Sequence, residues 1–110
     1  MKKDPDVFLK HILECINLIE EYTKNLSEKG FNSNIRTQDA IIRRLEIIGE
    51  AARNLPDEFK SNYTEVAWKK IMAARNILAH NYFGVDLDII WKIIQKDLQP
   101  LKKQIEDMLS

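Results

Sequence analysis

The stretch DPDVFLKHILECINLIEEYTKNL, residues 4–26, decides the fold. Phe8, Ile12, Cys15, Ile19, Tyr22 and Leu26 follow one another at steps of 4, 3, 4, 3 and 4, which keeps an apolar stripe on one side of a helix about five turns long. Asp4-Pro5 makes a matching start. The Asp side chain accepts from amides that the first turn leaves unpaired, and Pro lacks the donor that would be orphaned there. A stripe this long and narrow is the seam of a helical bundle.

Working outward, SEKGFNSN (27–34) interrupts the seam with Gly30 and a polar cluster. The period returns with Ile41, Leu45, Ile48, Ala52 and Leu55, and Pro56 closes this second helix. After the connector DEFKSNY (57–63), Thr64 is the expected N-cap of a third helix carrying Ala67, Ile71, Ala74 and Leu78, with Gly84 as its left-handed stop. Asp86 caps a fourth helix with Leu87, Ile90, Ile94 and Leu98. Pro100 then kinks or restarts the chain into a segment with Leu101, Ile105 and Met108. The expectation is an all-α, up-and-down four-helix bundle with a C-terminal helical extension, or with the last two segments joined as one bent helix. Residues 1–110 make one domain on the usual size scale.

Composition narrows the function classes. Of 110 residues, 45% are apolar, and 17 basic residues balance 17 acidic ones to zero net charge. No global field therefore draws the chain to nucleic acid or to an anionic membrane, so any RNA contact must rest on local charges. Cys15 is the single cysteine, which excludes an intrachain disulfide and a cysteine pair for zinc and suits a reducing cytoplasm. Asp4, Pro5 and Asp6 stand where a signal peptide needs its apolar stretch, and no apolar run approaches the ~18 residues of a membrane span.

The third helix ends in RNILAHNYFGVD, residues 75–86. With Arg75 at zero and about 100° per residue, Ala67, Ile71, Ala74 and Leu78 fall near 260 to 320° and are expected to face the core. Tyr82, Trp68, Met72, Asn76 and His80 spread over a second arc running from about 340° to about 140°. A face carrying Trp68 and Met72 is expected to pack on another surface, which a homodimer would supply. From spacing alone two readings stand. Cationic side chains near a helix C-terminus are favoured by the macrodipole by about 0.3 to 1 kcal/mol, so Arg75 and His80 can be simple end residues beside a packing Tyr82. The other reading is a site.

A resemblance separates the two. RNILAHNY (75–82) fits the R-x4-H-x-Y signature, and RRLEIIGEAARNL (43–55), AWKKIMAARN (67–76) and GVDLDIIWKII (84–94) match in order on either side. Over residues 5–109 the chain resembles the HepT-like ribonuclease toxins of the HEPN superfamily. The resemblance implies a helical toxin that forms a homodimer, cleaves RNA without a metal, and is made with a minimal nucleotidyltransferase as its antitoxin. It also implies that Arg75 and His80 are the catalytic pair in a cleft between protomers. Tyr82 is implied as the residue the antitoxin adenylylates.

The chemistry of the residues agrees. Cleavage by the ribose 2′-OH needs a base near neutrality and a cation for the charge that builds on phosphate. His80 suits the first role and Arg75, with its planar fork, the second. Asn76, beside Arg75 and one turn before His80, is a supporting candidate that orients the imidazole or binds phosphate. No metal or cofactor is expected: His11, the other histidine, lies among Leu9, Ile12 and Leu13 and reads as a surface or satisfied side chain. Glu46 and Glu50 are one turn apart among Arg43, Arg44 and Arg53, an arrangement that suits ion pairs, with support of the cleft as the sharper alternative. Gly49, Ala51 and Ala52 read as a close helix contact. Against the ribonuclease stand a non-catalytic helical module that binds a nucleotide or a nucleotidyltransferase partner, and a plain structural bundle.

Overall fold

The computed structural model describes the backbone of residues 4–80 and 86–110 and the side chains of 4–75 and 86–110. Its elements are α1 (Pro5–Thr23), α2 (Glu28–Asn32), α3 (Ile35–Asn54), α4 (Asp57–Ser61), α5 (Trp68–His80), α6 (Leu87–Lys92), a π-helical turn (Ile93–Asp97) and α7 (Leu98–Leu109). Among the described residues there is no strand. The fold is an all-α, HEPN-like bundle in which α1 packs on α3 and α7, and α3 on α5.

Helix α1 begins as its sequence dictates, with the Asp4 carboxylate accepting from the Asp6 amide at 3.0 Å and Pro5 at the first helical position. Its buried face comprises Leu9, Ile12, Cys15, Ile16 and Ile19. The expected seam was too long by one turn. The helix stops at Thr23, Asn25 turns left-handed at φ 61°, Tyr22 is exposed and Leu26 only half-buried. A side chain capable of left-handed backbone two residues past a helix ends it without strain. Burial pushes the Cys15 thiol above its ordinary value, and the nearby Arg44 opposes that shift only in part, so this is a packed cysteine rather than a reactive one.

The stretch expected as a plain break, 27–34, holds the short helix α2. Ser27 caps it by accepting from the Gly30 amide at 3.0 Å, and the fully buried Phe31 meets the Trp91 ring at 5.4 Å between centroids. Asn34 then caps α3 through the Thr37 amide at 3.0 Å. Ile41, Leu45, Ile48 and Ala52 line the core from α3, and Leu55 follows at its end.

Thr64 does not cap α5. It lies in a turn, and the helix begins at Trp68 after a tight bend in which the Trp68 amide donates to the Val66 carbonyl at 2.9 Å. That bend buries Val66 and Trp68 together. At the other end of the chain, Asp86 caps α6 as expected, through the Asp88 amide at 2.9 Å. The last two segments are one continuous helical run. The Leu98 amide reaches back five residues to the Ile93 carbonyl, and this wider π turn lies where the Pro100 ring, lacking a donor, crowds the carbonyl four residues earlier. Gly84, expected to stop α5, lies outside the described residues.

Helix α5 is rotated from its expected setting. Trp68, assigned to an outer face, is buried, with its indole nitrogen donating to the Tyr63 carbonyl at 3.0 Å. Met72 is half-buried and meets the Lys60 ammonium at 3.6 Å. The connector supplies the cover, because Lys60 of α4 and Tyr63, whose ring is tilted against that of Phe59 at 5.0 Å, meet this side of α5. Ala67, expected in the core, is exposed, while Ile71 and Ala74 are half-buried. These three line a cleft of about 250 Å³ shared with Leu45, Ile48, Leu98 and Leu101, and the Lys70–Asp97 ion pair at 3.4 Å spans from α5 to the π turn. Burial scales with apolar area, so one indole outweighs two alanines in choosing the face that turns inward.

Candidate functional site

The same rotation carries Arg75 toward α3. Trp68, Met72 and Arg75 are three or four residues apart and share one side of α5. Arg75 therefore emerges where the two helices cross. The crossing is close because position 49 is glycine: a Cβ built there would lie 2.5 Å from the Arg75 Cβ and 3.2 Å from the Ile71 carbonyl oxygen. Only a residue without a side chain lets the backbones meet at this distance. Of the three small residues expected at a close helix contact, Gly49 makes it with α5, while Ala51 and Ala52 are buried in the core.

The next residue, Glu50, meets the arginine. Its Oε1 lies 3.7 Å from Arg75 Nε, with the two side chains 44% and 33% exposed, so the pair sits at the edge of the core in reach of solvent. Glu46, one turn earlier, is taken by Arg43 at 3.6 Å within α3. The two carboxylates read together in the sequence thus separate, one serving its own helix and the other crossing to α5. Spacing showed that they share a face of α3. It carried no signal of which one α5 would meet.

Asn76 and His80 belong to α5, whose last residue is His80, five positions beyond Arg75. Their side chains, and Tyr82 altogether, lie outside the described residues. His11 is exposed on α1, and among the described residues no three His, Cys, Asp or Glu side chains gather as a metal site would require. No helix among them is long and apolar enough to cross a membrane.

What the arrangement offers is a guanidinium fixed at a helix crossing, with its aliphatic stem packed against glycine and a carboxylate beside its inner nitrogen. A fixed guanidinium with solvent access can bind a phosphate through paired hydrogen bonds.

The family model described as ribonuclease HepT-like matches residues 12–108, a span that includes α3, α5 and the whole crossing. Over 105 residues the chain is 50% identical to a protein of Methanocaldococcus jannaschii named "Gamma-glutamylcyclotransferase and putative RNase", covering 96% of this chain but 47% of that one. It is 41% identical to the "Probable ribonuclease HepT" of Thermococcus cleftensis, covering 98% of both chains. No solved structure matches significantly. From a family match over nearly the whole chain and relatives of this identity, the chain belongs to the HepT-like ribonuclease family of HEPN proteins.

Proposed function

We propose that this protein is a metal-independent endoribonuclease and the toxin of a toxin–antitoxin system, with Arg75 and His80 as its catalytic pair. The observation that carries the reading is Arg75 itself: a guanidinium held at a helix crossing, at the head of an R-x4-H-x-Y motif, in a chain of a ribonuclease family. In this mechanism His80 takes the proton of the ribose 2′-OH as it attacks the adjacent phosphorus. Arg75 meets the charge gathering on the phosphate oxygens. Asn76 supports the pair by orienting the imidazole or holding phosphate. The bond to the 5′ oxygen breaks and that oxygen takes a proton from water, leaving a 2′,3′-cyclic phosphate and a 5′-hydroxyl end. The motif's Arg and His work in a cleft between two copies of the chain, and a minimal nucleotidyltransferase silences the toxin by transferring AMP from ATP to Tyr82.

The test is cleavage of a labelled oligoribonucleotide by the purified protein in the presence of a chelator, with the product ends identified by mass. Cleavage is expected to persist without divalent metal and to leave cyclic phosphate ends. His80→Ala should lower the rate by about 10² to 10⁴, the usual worth of a positioned general base, and Arg75→Ala should be comparably damaging. Unchanged cleavage by either variant, or complete loss of wild-type cleavage on chelation, would reject the mechanism.

A further inference from the structure

We infer that Glu50 is the positioning residue for Arg75, its negative charge orienting the guanidinium from the side of the inner nitrogen so that the terminal edge meets the scissile phosphate; the inference rests on the ribonuclease reading above. Three observations on the α3–α5 crossing carry it. Gly49 brings α5 so close that the Arg75 Cβ is set against the backbone of α3. The side chain following that glycine is a carboxylate, and its oxygen lies 3.7 Å from Nε rather than beside a solvent-facing lysine or an arginine of its own helix. The other carboxylate of this face, Glu46, is engaged by Arg43 and does not compete.

A guanidinium presents two edges that fit an oxyanion in bidentate fashion, one made by Nε with a terminal nitrogen and one by the two terminal nitrogens. Nε is buried, and the carboxylate 3.7 Å away from it forms an ion pair rather than a hydrogen bond, so burial and charge together favour the second edge for phosphate. The ion pair also limits the rotations of a long side chain, which otherwise cost binding energy each time substrate arrives. Catalysis by a charge that must match a developing charge is sensitive to placement, and an error of about 1 Å can cost 10²-fold in rate. The pair is too exposed to matter much for stability, since ion pairs in reach of water contribute little. Its effect should therefore appear in turnover rather than in melting.

Steady-state cleavage of an oligoribonucleotide by Glu50→Gln tests this. The expected result is a fall in kcat of about 10- to 100-fold with KM near that of the wild type, an unchanged melting temperature, and partial recovery in Glu50→Asp, which keeps the charge on a shorter stem. In an Arg75→Lys background, which has no guanidinium to orient, the Glu50→Gln change should have little further effect, because coupled residues are not additive. Wild-type kcat in Glu50→Gln, an equal loss in both backgrounds, or a Glu50→Gln chain that no longer folds would each overturn the inference. Normal cleavage by Glu50→Gln while Arg75→Ala and His80→Ala are inactive would refute this role alone. Normal cleavage by the latter two would instead remove the ribonuclease reading on which it rests.

Discussion

Tyr82 follows Arg75 by seven residues in the sequence, the spacing that the helical reading of the motif expects to put both on one side. An adenylyl group on that oxygen carries a phosphodiester anion. Attached there, it would compete with substrate phosphate for the same guanidinium, inhibiting the enzyme without unfolding it. Tyr82→Phe is accordingly expected to keep most of the cleavage activity and to escape neutralisation when a minimal nucleotidyltransferase and ATP are supplied. Intact mass should show one or more AMP additions on the wild type and none on the variant. Equal modification of both chains would show that another residue is the acceptor.

Between elements, the decisive contact is Gly49 against Arg75 and Ile71. Two effects oppose each other when Ala is placed there. Helix propensity alone would favour Ala by about 1 kcal/mol. The new Cβ would, however, stand 2.5 Å from another Cβ, an atom that moves only with its backbone. Forcing a methyl into a contact costs about 1 to 3 kcal/mol, and at 2.5 Å from a Cβ the cost falls in the upper part of that range, so the clash prevails. Gly49→Ala is expected to lower the melting temperature by about 4 °C or more and to reduce RNA cleavage further than stability explains, since α5 must back away with Arg75 on it. A rise in melting temperature with full activity would mean that the helices separate freely at the crossing. Residue spacing marked Gly49 as a helix contact, yet the identity of the partner side chain was not legible, because a helical period fixes the face but not the neighbour.

Across the whole molecule, the packing of α5 changes what an interface mutation means. Trp68 was expected on a surface offered to a second copy. It is instead 7% exposed, hydrogen-bonded to Tyr63 and roofed by the segment after α4. Trp68→Glu should therefore unfold the protein, placing a carboxylate in an apolar site without a partner, and circular dichroism should show lost helix rather than a folded monomer. A folded, helical Trp68→Glu protein would return Trp68 to the surface. What the sequence by itself determined is the helical class, the capped starts at Asp4 and Asp86, the close of α3 before Pro56, and the resemblance to its family, for periodicity, caps and short matches are local properties of the chain. Only the tertiary structure decided the length of α1, the rotation of α5, the burial of Phe31 and Trp68, and the meeting of Arg75 with Gly49 and Glu50. These follow from which large apolar surfaces find cover and how near two backbones can come, and such competition is settled between segments far apart in sequence.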